Sequence, residues 1–158
     1  MSDCGSRSGL DRDLIAPCGM NCGVCSSYLA WSHSVPKQKG KTSHCTGCRA
    51  RDKKCAFIKR ECPALLNQRI EFCFECSVFP CHRLQRLDER YRKNYKMSMV
   101  ENLEEIRRGG IEAFIETQQA KYRCARCGGV VCVHNGRCHD CETTESSNRR
   151  VTRRPDVR

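Results

Sequence analysis

Short α-helices and loops pinned by metal ions, closed at the C-terminal end by a small β-hairpin zinc ribbon, are the architecture expected of this 158-residue chain. Three observations carry that expectation. Sixteen residues are Cys, far above ordinary usage. Ten of them form five C-x-x-C pairs: Cys22/Cys25, Cys45/Cys48, Cys73/Cys76, Cys124/Cys127 and Cys138/Cys141. Hydrophobic residues reach 39% only with Cys counted among them, and aromatics stand at 6%. Few side chains remain for a large apolar core, so the fold needs another source of stability. Paired thiolates supply one. Two of them three positions apart face a single ion from a tight turn, and two such turns complete a tetrahedron.

The alternatives are weaker. A disulfide scaffold needs an oxidising compartment, and Met1 to Asp13 is polar and mixed in charge, unlike a secretory signal. No stretch approaches the roughly 20 apolar residues that span a bilayer. The chain is too short for a barrel enzyme of about 250 residues. No βαβ pattern surrounds any C-x-x-C pair, which argues against a thioredoxin-like redox motif. A cytoplasmic metal-binding protein is the expectation.

Five segments follow along the chain. Residues 1–12 are rich in Ser, Gly, Asp and Arg and are expected to be disordered, with Cys4 a free thiol. Residues 13–82 form a multi-Cys metal-binding module with short helices. One helix is expected over Ser26 to Trp31, and another opens on Pro63, a residue suited to a first helical position, and continues to Ile70. Residues 83–122 lack Cys and read as a helical segment packing on that module. Leu84, Leu87, Tyr91 and Tyr95 recur at helical spacing over Pro80 to Tyr95. Ser98 to Glu101 has the form of a capping box opening a second helix with the stripe Val100, Leu103 and Ile106. Gly109 and Gly110 end it, and a third helix carries Ile111, Phe114 and Ile115. Residues 123–142 are the zinc-ribbon-like module, and 143–158 a disordered basic tail.

The ribbon is expected to take Cys124, Cys127, Cys138 and Cys141 as ligands. Gly128 and Gly129 permit a tight turn after the first pair, and Val130, Val131 and Val133 suit a strand. Asn135–Gly136 is the preferred pair for a two-residue hairpin turn. Cys132, His134 and His139 are spare candidates for the set.

Upstream, the candidate ligands are Cys18, Cys22, Cys25, Cys45, Cys48, Cys55, Cys62, Cys73, Cys76 and Cys81. Pairing neighbours gives one site from Cys22, Cys25, Cys45 and Cys48 and a second from Cys62, Cys73, Cys76 and Cys81. A different partition groups Cys18, Cys22 and Cys25 with Cys81. Chain order does not choose between them. His44 and His82 each adjoin a Cys, and adjacent residues rarely bind one ion, so both read as solvated or supporting residues. Trp31 and His33 read as surface or packing residues. The triple Cys18, Cys22 and Cys25 also has the spacing of three ligands to a [4Fe–4S] cluster. Radical enzymes with such a triple need a large α/β barrel, which this chain lacks.

The segments Ala16 to Cys25, Cys45 to Arg49 with Cys55 and Cys62, and Phe72 to Cys81, together with Cys124 to Cys141, resemble a cysteine-rich prokaryotic family known only as a domain of unknown function. That family is met mainly in anaerobic bacteria and archaea. The resemblance covers residues 14–142 and includes the ribbon-like module. It implies a metal-binding cytosolic protein and carries no reaction. An anaerobic setting makes iron–sulfur clusters plausible beside zinc, and thiolate ligands alone do not separate the two.

Lys plus Arg is 29 and Asp plus Glu 18, a formal charge of +11. Lys37, Lys39, Lys41, Arg49, Arg51, Lys53, Lys54, Lys59 and Arg60 face one acid, Asp52. Residues 37–60 are therefore the expected surface for nucleic acid or an acidic protein partner. Phe57 is the only aromatic there, so no stacking platform is present. Twelve bound thiolates with about three zinc ions would lower the charge to about +5, which weakens the nucleic-acid reading. No phosphate-binding Gly loop, zinc-protease motif or Ser/His/Asp order appears, and all-Cys sites are usually closed. The expected function is a non-enzymatic zinc-binding interaction or regulatory module. An iron–sulfur protein for electron transfer or redox sensing, with a [4Fe–4S] cluster in the N-terminal module, and a nucleic-acid-binding zinc protein are the alternatives.

Overall fold

Leu84 and Leu87 lie about one turn apart, and helix α4 (His82–Tyr95) buries both. A computed structural model describes residues 11–51 and 57–142 of the chain. Six α-helices are assigned there: α1 (Ser26–Ser32), α2 (Phe57–Glu61), α3 (Pro63–Leu66), α4, α5 (Met99–Gly109) and α6 (Ile111–Lys121). The last three pack in sequence, α4 on α5 and α5 on α6, around one apolar cluster. Met99, Leu103 and Ile106 of α5 and Ile111 and Phe114 of α6 close over Leu84 and Leu87, with Ile15, Met20 and Phe72 from the Cys-rich half. Val100, expected in the buried stripe, is only partly covered, and Met99 takes the inward position.

The ends of these helices follow their sequence. Ser98 Oγ accepts from the Glu101 N–H at 3.0 Å, capping α5. Gly110, at φ 85°, stops α5 and starts α6 without a linker. Pro63 opens α3, but that helix ends at Leu66 rather than running to Ile70. Gln68 turns to φ 53°, and the Arg69 N–H returns to the Ala64 carbonyl, closing the turn. The expected start of α4 at Pro80 moves to His82, after a cis Phe79–Pro80 bond.

Asp88 is a buried carboxylate at the α4–α5 junction. One oxygen accepts from the Ser98 hydroxyl at 2.6 Å and the Val100 N–H at 3.0 Å. The other accepts from Arg92 Nε at 2.6 Å. Burial pushes this carboxyl up, but Ser98, Val100 and Arg92 together outweigh it and hold it below its ordinary value. A carboxyl held low stabilises the fold above its unfolded value near about 3.9. That contribution is lost as pH falls through the folded value. Asp88→Ala is expected to cost about 1–3 kcal/mol, because it leaves buried donors unpaired. It should also flatten the acid limb of stability below about pH 4. Melting curves of both proteins across the acid range check this.

Between the helices the N-terminal half is loops and single turns. Arg12–Leu14, Cys22–Val24 and Cys73–Glu75 are 3-10 turns. Asn21, fully buried, caps the second of these by accepting from the Gly23 N–H at 3.0 Å. Its Nδ2 donates to Gln118 Oε1 of α6 at 3.2 Å, tying that turn to the helical half.

The β-hairpin ribbon expected at the C-terminal end does not form. Among the described residues there are no β-strands. This stretch carries two isolated bridges, Arg123 to Val130 and Val131 to Cys138. The reason lies in three successive backbone donors. Val131 N–H goes to the Tyr122 carbonyl, Cys132 N–H to Arg137, and Val133 N–H to Val24 in the N-terminal half. A ladder needs consecutive residues to address one neighbour, and here they address three. The Asn135–Gly136 turn is correspondingly wider than a two-residue hairpin, with the Gly136 N–H returning to the Cys132 carbonyl at 2.8 Å.

Candidate metal centre

Cys124, Cys127, Cys138 and Cys141 converge without a hairpin. Their sulfur atoms all lie within 4.8 Å of one another. Cys124 and Cys141 are 3.7 Å apart and Cys127 and Cys138 3.5 Å. A tetrahedron with metal–sulfur bonds of about 2.3 Å has an edge of about 3.8 Å, so the four can hold one metal ion.

Each pair is presented by a tight turn whose amides point at sulfur. Arg126 and Cys127 N–H groups face Cys124 Sγ, and those of Asp140 and Cys141 face Cys138 Sγ. Gly129 N–H donates to Cys127 Sγ at 3.4 Å. The first turn is closed by Cys124 N–H to the Gly129 carbonyl at 2.7 Å and Gly128 N–H to the Cys124 carbonyl at 2.9 Å. The second pair opens a helical turn over residues 139–142. The Cys127 and Arg126 amides lower the Cys124 thiol to about 6, whereas Cys127 and Cys124 push Cys141 up to about 12. One thiolate forms readily and its neighbours resist, which is the electrostatic situation that a bound cation relieves.

The spare candidates have other work. Cys132 is buried at 1% exposure, outside the quartet. His134 Nδ1 accepts from the Ser26 N–H at 3.2 Å, and its Nε2 meets the Tyr91 hydroxyl at 3.3 Å. Burial holds this imidazole below its ordinary value, which keeps Nδ1 free to accept. His33 Nε2 bonds Asp140 Oδ1 at 3.0 Å, and its ring stacks on His139 at 5.4 Å. His33, expected to be a surface or packing residue, thus links the end of helix α1 to the turn between Cys138 and Cys141, a role with no local sequence signal. Its partner is 107 positions away.

In the N-terminal half the second C-x-x-C pair folds onto the first. Cys48 N–H donates to Cys22 Sγ at 3.3 Å, and Gly47 N–H to Cys45 Sγ at 3.4 Å. Cys45 N–H reaches the Ser27 carbonyl beside Cys25. A different set gathers around Cys73. Cys62, Cys73, Cys76 and Cys81 line one cavity of about 450 Å³ together with His82. Cys73 N–H donates to the Pro17 carbonyl at 2.9 Å, which sets Cys18 beside it. Burial, then Cys18, Cys62, Cys81 and Cys76 in that order, push the Cys73 thiol up. Cys4, Cys55 and the tail 143–158 lie outside the described residues.

The basic segment divides. Lys37, Lys39, Lys41, His44 and Arg51 line a shallow concavity of about 500 Å³. Arg49 instead turns inward, Nε donating to the Ile15 carbonyl at 2.6 Å and the guanidinium lying over Phe72 at 4.9 Å. Lys59 Nζ donates to the Cys48 carbonyl at 2.8 Å. His44 Nε2 donates to the Val35 carbonyl. Arg49 and Lys59 thus brace the Cys-rich loops. Lys53 and Lys54 lie outside the described residues. Among the described residues, no helix is long and apolar enough to cross a membrane.

Residues 14–86 match the model of a protein family of unknown function, DUF3795. The DUF3795 match spans Cys18 to Cys81 and ends inside α4, so the quartet lies beyond it. No curated protein and no solved structure matches the chain.

Proposed function

We propose that this chain is a zinc-binding protein of the cytosol, without catalytic activity, in which metal replaces part of the apolar core of an interaction or regulatory module. The quartet carries the reading. Four thiolates at single-ion spacing, each pair held by backbone N–H groups, form a closed all-sulfur set, the usual arrangement of a structural zinc site. Cys18, Cys22, Cys25, Cys45, Cys48, Cys55, Cys62, Cys73, Cys76 and Cys81 are metal ligands in the same reading. The basic concavity at Lys37 to Arg51 is the surface for an acidic protein partner or for nucleic acid.

Metal analysis tests the quartet. The Cys124→Ser/Cys127→Ser variant should hold about one zinc ion fewer than the full-length protein. Equal zinc in the two proteins would overturn the assignment.

A further inference from the structure

We propose that Cys62, Cys73, Cys76 and Cys81 bind a [4Fe–4S] cluster in the cavity they share. The inference rests on the reading of this chain as a metal–thiolate protein, but it does not depend on the quartet.

Spacing is the first argument. Among the described residues, no three of the N-terminal ligand atoms lie within 4.8 Å of one another. A single zinc ion needs thiolates about 3.8 Å apart, and the quartet shows that this chain adopts such spacing where its loops call for it. A cubane cluster places a separate iron under each thiolate, with sulfides between the irons. Its ligands therefore stand farther apart than those of one ion. Cys62, Cys73, Cys76 and Cys81 line a common cavity of about 450 Å³, which has room for a cluster.

The lining is the second argument. Apart from the thiols, the wall is largely apolar, with Ile58, Ile70, Phe79 and Leu84 around the cysteines. Iron–sulfur clusters are tuned by solvent exclusion and by burial of their sulfurs. Cys73 is buried, and Cys62, Cys76 and Cys81 are half-buried, so the site is partly shielded from solvent. The polar part of the lining is His82 with Arg83 and Glu61, which pair with each other at 3.1 Å.

The third argument is the backbone. Cys76 N–H donates to the Cys73 carbonyl at 3.2 Å, and Phe79 N–H to the Cys76 carbonyl at 3.1 Å. The chain turns twice within nine residues and returns Cys81 to the cavity at the N-cap of α4.

Anaerobically purified full-length protein, reconstituted with ferrous iron and sulfide, tests the proposal. About four iron and about four acid-labile sulfide per chain are expected, alongside about one zinc in the quartet. Cys76→Ser/Cys81→Ser changes two half-buried positions. It should lose iron and sulfide at least tenfold while keeping the quartet's zinc and its far-ultraviolet helical signal. Iron and sulfide that survive this double change would overturn the proposal. So would a wild-type protein that takes up extra zinc and no sulfide. Wild-type protein that holds iron and sulfide but no zinc would instead count against the zinc assignment and leave the cluster standing, so the two readings fail separately.

Discussion

Gly19→Ala is expected to destabilise the protein by about 3 kcal/mol or more, through backbone strain and overpacking together. Gly19 sits at φ 87°, and a methyl group there would lie 2.7 Å from the Met99 carbonyl oxygen and 2.9 Å from Leu103 Cγ. The first obstacle is helix backbone, which cannot swing aside. The second is a fully buried leucine. Gly19 also offers its carbonyl to Asn102 Nδ2 at 2.9 Å, so this glycine is the point where the Cys18–Cys25 loop rests on α5. Gly40→Ala separates the two causes. Gly40 has a similar φ of 75° with nothing within 4 Å of the added carbon, so it should cost only the strain, about 1 kcal/mol. Urea unfolding of both variants measures the difference. Equal losses would show that packing against α5 contributes nothing.

Cys138→Ser is expected to release residues 123–142 while α4, α5 and α6 keep their helical signal. In small zinc-dependent peptides the ion supplies on the order of 10–16 kcal/mol of folding free energy. Two isolated bridges and a few contacts are all that remain here without it. Contacts to the rest of the protein include Val133 N–H to Val24 at 2.9 Å, His33 with Asp140 and His139, and His134 with Ser26, Tyr91 and Tyr95. Cys132 reports the outcome. It is buried in the native protein, so alkylation should accelerate at least tenfold in the variant, with faster amide exchange at Val133. A Cys132 that stays protected would mean that the histidine contacts, rather than the quartet, hold this segment in place.

Some of this was legible along the chain. Leu84 and Leu87 announced the buried side of α4 through spacing alone, and Ser98 and Gly110 marked the ends of α5. These features depend on neighbours within a turn or two, and local periodicity carries them. The quartet was also legible, because two thiolates three apart present one ion from a single turn whatever the fold around them. The ribbon was not. Val130, Val131, Val133 and Asn135–Gly136 have strand and turn propensities, but propensity does not say which neighbour receives each N–H. Here Tyr122, Arg137 and Val24 divide three consecutive donors. The bridges of His33 to Asp140 and Asn21 to Gln118 join residues 107 and 97 positions apart. No local pattern encodes such pairs.

The residues by themselves carried the expectation that cysteine chemistry stands in for part of the core, because 16 thiols occur among few large apolar side chains. They also determined that helices would occupy the Cys-free stretch. Only the tertiary structure decided how the upstream thiols are gathered, drawing Cys62 into one cavity with Cys73, Cys76 and Cys81 and laying Cys48 against Cys22. The physical reason is distance in the chain. A C-x-x-C turn sets two sulfurs by local geometry, whereas the partner of that turn is chosen by the packing of everything between them.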